Sequence, residues 1–227
     1  MMTETLRILS AVLPGVLLLA CILWADRKQP EPWQLIVKGV VCGIISLGVM
    51  RLFWFYMPDY FAWAAMKDTM IEKLRDAFLY AAIPEEMAKL MMLWAVVSRN
   101  SFFDEPRDGI VYAVCVGLGF ATLENIDYIS AYENWAGIAL SRATVSVPVH
   151  YLCAVLMGYY YANARFWPSR GMRPLAVVKN LSHPSTVAWH FRQHGHHHYL
   201  EAMGAMYLST FCLDPRGLAP PSLQLSG

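Results

Sequence analysis

The stretch Ala81–Val97 reads A-A-I-P-E-E-M-A-K-L-M-M-L-W-A-V-V. It belongs to an apolar run of membrane-spanning length, yet it holds Glu85, Glu86 and Lys89. A charged side chain at the centre of a membrane helix costs about 2.5–3.5 kcal/mol on insertion scales. Three such residues therefore need either mutual neutralisation or a function. Lys89 is four residues from Glu85 and three from Glu86, spacings that let it reach either carboxylate on one helix face. One reading is a self-neutralised pair stabilising a helix bent after Pro84, whose ring frees a backbone carbonyl one turn back. The other is a polar site inside a membrane bundle, the default for ionisable residues within a span.

The rest of the chain supports a membrane setting. Of its 227 residues, 57% are hydrophobic and 15% charged, against roughly a quarter charged in soluble domains. A net charge of +1 supplies no basic surface for nucleic acid, so no nucleic-acid partner is expected. The cysteines Cys21, Cys42, Cys115, Cys153 and Cys212 are scattered, without CxxC spacing. They read as small packing residues, not as a disulfide framework or a thiolate zinc site.

A helix needs about 20 apolar residues to cross the hydrocarbon core. Five windows qualify: Leu6–Ala25, Gln34–Tyr56, Ala77–Val97, Gly109–Ile129 and Gly137–Ala164. No small-residue cleavage site follows the first, so it reads as a retained span and not as a signal peptide. The expected fold is all-α, a polytopic transmembrane helical bundle of about five complete spans plus an atypical C-terminal tail. The domain division is 1–181 for the bundle and 182–227 for the tail. Arg27/Lys28, Arg99/Arg107 and Arg165/Arg170/Arg173/Lys179 fall on one side, whereas Lys67, Lys73 and Arg75 on the other are offset by nearby acids. The positive-inside rule then puts the N-terminus outside the cell.

Two further spans carry isolated polar groups. In G-L-G-F-A-T-L-E-N-I-D-Y (Gly117–Tyr128), Glu124 ends a run of about fifteen uncharged residues, with Phe120 one turn before it. Gly117 and Gly119 let another helix approach closely. Glu124, Asn125 and Asp127 equally read as the interfacial end of that helix. The fifth span contains Arg142 and V-P-V-H-Y-L-C-A-V-L-M-G-Y, with His150 the only histidine in the first 182 residues. A lone histidine on an apolar helix is commonly a satisfied interior residue. Together, however, Glu85, Glu86, Glu124 and His150 can bind a divalent metal such as zinc or activate a water. Carboxylate crowding and burial would raise one pKa for acid–base work.

The three patches resemble the PrsW family of intramembrane proteases, relatives of the type II CAAX prenyl proteases and bacteriocin-processing enzymes. They carry its EExxK pattern (Glu85–Lys89), its FxxxE pattern (Phe120–Glu124) and its later histidine (His150–Gly158). The D-R-K-Q-P-E-P segment from Asp26 and D-G-I-V-Y-A from Asp108 add context. The resemblance covers roughly Leu6 to Leu181. It implies hydrolysis of membrane-anchored protein substrates in a bacterial cytoplasmic membrane, with site-1 cleavage of an anti-sigma factor as the best-known family role. It implies Glu85 or Glu86 as general base, and Glu124 and His150 binding the water, a metal or the oxyanion. Lys89 would orient a carboxylate, and Phe120 and Asn125 would support the site. The implied metal set is Glu86, Glu124 and His150, although a metal-free glutamate scheme uses the same residues.

The tail departs from the family pattern. Six of the seven histidines fall in His183–His198, which reads either as a metal-binding tract or as the product of a frameshift near Leu181. In a shifted codon frame, A-W-H-F-R-Q-H from Ala188 can become H-G-I-F-D-N-M, close to the family's last motif. The nucleotide sequence tests this: a stop or a polar string before Trp189 in that frame excludes it. Two other classes stay open, an ion- or proton-coupled transporter and a non-catalytic membrane scaffold. Five unequal spans without an inverted repeat count against a complete transporter.

Overall fold

The computed structural model describes residues 2–56, 82–98 and 100–166. Among these every regular element is helical: α1 (Met2–Ala25), α2 (Trp33–Tyr56), α3 (Ile83–Val97), α4 (Pro106–Ala131), α5 (Trp135–Ser141), a π-helical turn (Arg142–Ser146) and α6 (Val147–Phe166). Lys67, Lys73 and Arg75, and the tail from 167 onward with its histidine tract, lie outside the described residues.

Four helical stretches are long and apolar enough to cross a bilayer: Glu4–Ala25, Trp33–Tyr56, Pro106–Ala131 and the run Trp135–Phe166. The expected third span is described only as α3, whose 15 residues extend about 22 Å at 1.5 Å per residue. Its first expected turn, 77–81, lies outside the described residues.

The burial pattern follows from lipid being the outer solvent. Leu9, Leu13 and Leu17 of α1 are 56%, 54% and 56% exposed, forming an apolar row at helical spacing that no described element covers. The interior, by contrast, contains Ser46, Glu85, Glu86, Lys89, Asn125, Ser146 and His150, all buried. Polar groups inside and leucines outside are the arrangement expected of a membrane bundle.

α4 is the central helix, packed against α1, α2, α3 and α6. Small residues let its neighbours approach. A Cβ at Gly119 would lie 2.2 Å from the Val40 carbonyl oxygen of α2, and one at Gly158 of α6 would lie 2.4 Å from the Gly109 carbonyl oxygen. Membrane helices lack a hydrophobic drive to associate and depend on such close contact. The start of α4 is fixed by a capping box: Asp108 Oδ2 accepts the Glu105 N–H at 2.7 Å, and Pro106 occupies the first turn, where no helical N–H is needed.

Both ends of the bundle are pinned. At one end Arg107 donates to Gln29, the Tyr112 hydroxyl donates to Glu31, and the Phe103 and Phe166 rings meet at 5.2 Å. These contacts gather Arg27, Lys28, Arg107 and Arg165 at that end. At the other, Arg51 of α2 pairs with Asp127 of α4.

Candidate active site

Glu85, Glu86 and Lys89 occupy the first turns of α3, with Pro84 just ahead of them. They face inward at 5%, 5% and 2% exposure. Lys89 Nζ lies 2.8 Å from Glu86 Oε1 and 3.6 Å from Glu85 Oε2, so the pairing expected from their spacing forms. The ammonium also sits 4.0 Å above the Phe120 ring, a cation–π contact that supplies a second desolvated partner.

The neutralised pair is not the whole arrangement, because α6 brings His150 into it. His150 Nδ1 lies 3.0 Å from Lys89 Nζ, and its Nε2 lies 3.1 Å from Glu124 Oε2. An ammonium only donates and a carboxylate only accepts. These partners therefore assign the imidazole: Nε2 carries the proton and Nδ1 presents its lone pair to the α3 groups. Gly117 permits the approach, since a Cβ there would lie 2.7 Å from Ala154 Cβ and 3.4 Å from the His150 carbonyl oxygen.

The structure brings the four expected residues together, with Glu85, Glu86 and His150 buried and Glu124 half-buried beside them. The arrangement of donors differs from the expected metal set. One ligand atom each from Glu85, Glu86 and His150 lies within 4.8 Å of the others. Glu124 stands at the opposite edge of the imidazole, paired with Arg142. Two carboxylates and one imidazole nitrogen form a donor set that suits zinc or a similar divalent ion. A carboxylate behind the histidine is the usual device for fixing a ligand's tautomer.

Sequence reading left Arg142 without a role. The structure has Arg142 donating to Glu124 and to Asn125 Oδ1, with its guanidinium 4.2 Å from the Tyr128 ring. Asn125 in turn donates to the Ala11 carbonyl of α1 at 3.1 Å. The available signal was a second unexplained charge in an apolar span.

A second polar cluster lies at the basic end of the bundle. There the D-R-K-Q-P-E-P segment meets the start of α4 through Glu31, Tyr112 and Asp108. Burial pushes the Glu31 carboxyl up to about 7; the Tyr112 hydrogen bond opposes the rise, and the Asp108 and Asp26 carboxylates add to it.

A helical membrane bundle with a buried two-carboxylate, one-histidine centre defines an integral membrane protein with a metal-capable polar centre inside the bundle. The comparisons agree. Residues 31–195 match the family model described as PrsW family intramembrane metalloprotease, and the chain belongs to that family. It is 36% identical over 157 residues to Protease PrsW of Geobacillus kaustophilus, covering 69% of this chain and 66% of that relative. It is 31% identical over 161 residues to Protease PrsW of Bacillus subtilis, covering 69% and 68%. Protease PrsW of Clostridioides difficile is 29% identical over 167 residues, covering 73% and 68%. The chain thus spans about two thirds of the length of these curated relatives. No solved structure matches it.

Proposed function

We propose that this chain is a peptidase that hydrolyses membrane-anchored proteins within or beside the bilayer, anti-sigma-factor-like substrates being the family precedent. The observation that carries this reading is the convergence of Glu85, Glu86, Lys89 and His150 in one buried centre. A salt bridge serving only stability would need no histidine, and a helix-end carboxylate would not be turned onto one.

In this reading Glu85 or Glu86 takes a proton from a water as its oxygen attacks the peptide carbonyl carbon. The same carboxyl returns the proton to the amide nitrogen as the C–N bond breaks. Lys89 holds the carboxylate in place and offers positive charge near the developing oxyanion. His150 stays in one tautomer through Glu124. Glu85, Glu86 and His150 would hold a divalent ion, which supplies Lewis-acid polarisation when bound. The metal-free glutamate scheme has its own support: the Lys89 ammonium already lies within 3.6 Å of donor atoms from all three residues.

The gathering of Arg27, Lys28, Arg107 and Arg165 at one end supports a cytoplasmic placement of that end and an N-terminus outside. The test of the activity is cleavage of a labelled single-span protein in vesicles by wild type and by Glu85→Ala, Glu86→Ala, Glu124→Ala and His150→Ala, with and without a chelator. Loss of cleavage in the variants is expected. Cleavage persisting in all four overturns the assignment, and the chelator arm separates the metal scheme from the glutamate scheme.

A further inference from the structure

We infer that Arg142 is a positioning residue, which holds Glu124 against His150 and so fixes the imidazole tautomer. Its catalytic consequence rests on the peptidase reading, but its structural content does not.

The π-helical turn is what makes the contact. An α-helix advances 100° per residue, so Arg142 and His150, eight residues apart, would differ by about 80° around a regular helix. The wider turn at Arg142–Ser146, in which the Val147 N–H reaches the Arg142 carbonyl, rotates the chain less per residue and absorbs that offset. Both side chains then face α4. Pro148 gives the physical cause: it lacks an N–H, and in a regular helix its ring would clash with the carbonyl four residues back, at Thr144. Widening the turn relieves that clash.

Arg142 is over-determined once there. Its guanidinium donates to Glu124 Oε2 and to Asn125 Oδ1 and lies 4.2 Å from the Tyr128 ring. Glu124, Asn125 and Tyr128 share one face of α4, and Asn125 ties the group to Ala11 of α1. The Glu124 oxygen that receives Arg142 is the one facing His150 Nε2. Arg142 therefore compensates the buried carboxylate while Glu124 keeps its hydrogen bond to the ring. A carboxylate with no guanidinium behind it would bear its desolvation cost alone and would turn away or repartner. His150 would then lose the contact that keeps its proton on Nε2 and its Nδ1 accepting from Lys89. A lysine retains the charge but not the two-pronged fork.

The test reads the tautomer directly, on the full chain in detergent with 15N-labelled histidine. His150 signals are identified by their loss in His150→Asn. The wild type should show a protonated Nε2 and a bare Nδ1. Arg142→Met should lose that single pattern, with the two nitrogens moving toward averaged positions, and Arg142→Lys should retain most of it. Arg142→Gln serves in place of the methionine variant if the latter shows no cooperative melting. Under the peptidase reading Arg142→Met, or Arg142→Gln in its place, loses activity by about 10- to 100-fold, as is usual for groups that orient a ligand from behind, and Arg142→Lys loses less. A protonated Nδ1 in wild type overturns the inference. So does a wild-type His150 pattern in Arg142→Met or Arg142→Gln. So does failure of both to fold beside a normal Arg142→Lys, which would make the charge a folding requirement only. Absence of cleavage by wild type would sink the peptidase reading and leave the tautomer result standing.

Discussion

Lys89 Nζ lies 3.0 Å from Nδ1 of His150 and within 3.6 Å of carboxylate oxygens of Glu85 and Glu86, so an ammonium tethered to α3 faces the three groups that could hold a cation. The same histidine edge that would ligate a metal accepts a hydrogen bond from this lysine. An exchangeable divalent ion taken up by these three residues would compete with the tethered ammonium for the same donor atoms.

Replacing the tethered cation should open the site to the exchangeable one. Lys89→Met removes the ammonium that two buried carboxylates face, a loss of about 3–5 kcal/mol by analogy with broken buried pairs. Added Zn2+ should restore much of it, because binding to the folded state alone stabilises by mass action. The zinc-induced rise in melting temperature should be several degrees larger in Lys89→Met than in wild type. To discount zinc taken up elsewhere, by the six tail histidines for example, the shift is read against Lys89→Met combined with Glu85→Gln and Glu86→Gln. An equal rise in wild type and Lys89→Met would show that Lys89 does not hold the cation's place.

Two glycines of α2 make an internal comparison. A Cβ at Gly43 would lie 2.1 Å from the Val116 carbonyl oxygen of α4, whereas one at Gly48 meets nothing within 4 Å among the described residues. Gly43→Ala should destabilise by about 1–3 kcal/mol, as overpacking does, and should loosen the α2–α4 contact beside the site. Gly48→Ala should be neutral or stabilising by up to about 1 kcal/mol through helix propensity. Melting curves in one detergent check both, and similar values for the pair would contradict the packing described for α2.

Much of this was legible because membrane insertion penalises charge so heavily. Glu85, Glu86, Glu124 and His150 stand out in apolar windows because each is costly to place there, and the i,i+3 and i,i+4 geometry around Lys89 follows from helix periodicity alone. What periodicity does not carry is the phase between helices. Glu124 being held by Arg142, instead of joining Glu85 and Glu86, depends on a π turn that rotates Arg142 onto His150's face. Nothing in R-A-T-V-S-V-P announces that turn except Pro148, whose effect on a helix has several outcomes. The meeting of Glu31 with Tyr112 was likewise hidden, because it joins residues 81 apart in sequence.

That last contact predicts a pH dependence of stability away from the Glu85–Glu86–His150 centre. The folded-state pKa of Glu31, about 7, lies above its ordinary value of 4.5. Between those values the folded chain binds a proton that the unfolded chain does not, so stability contributed by the protonated group is fully present below about 4.5. It is lost as pH rises through about 7. The melting temperature should therefore fall across that window in wild type. Glu31→Gln mimics the protonated carboxyl and should flatten this part of the profile, raising stability most at the alkaline end. Asp26, Asp108, Glu105, Arg107 and Tyr112 face the same cluster. Asp26→Asn is the control for a general charge effect: Asp26 is also shifted up by burial, but it does not accept from Tyr112. An unchanged slope in Glu31→Gln, or an equal flattening in Asp26→Asn, would show that Glu31 is not the group setting the profile.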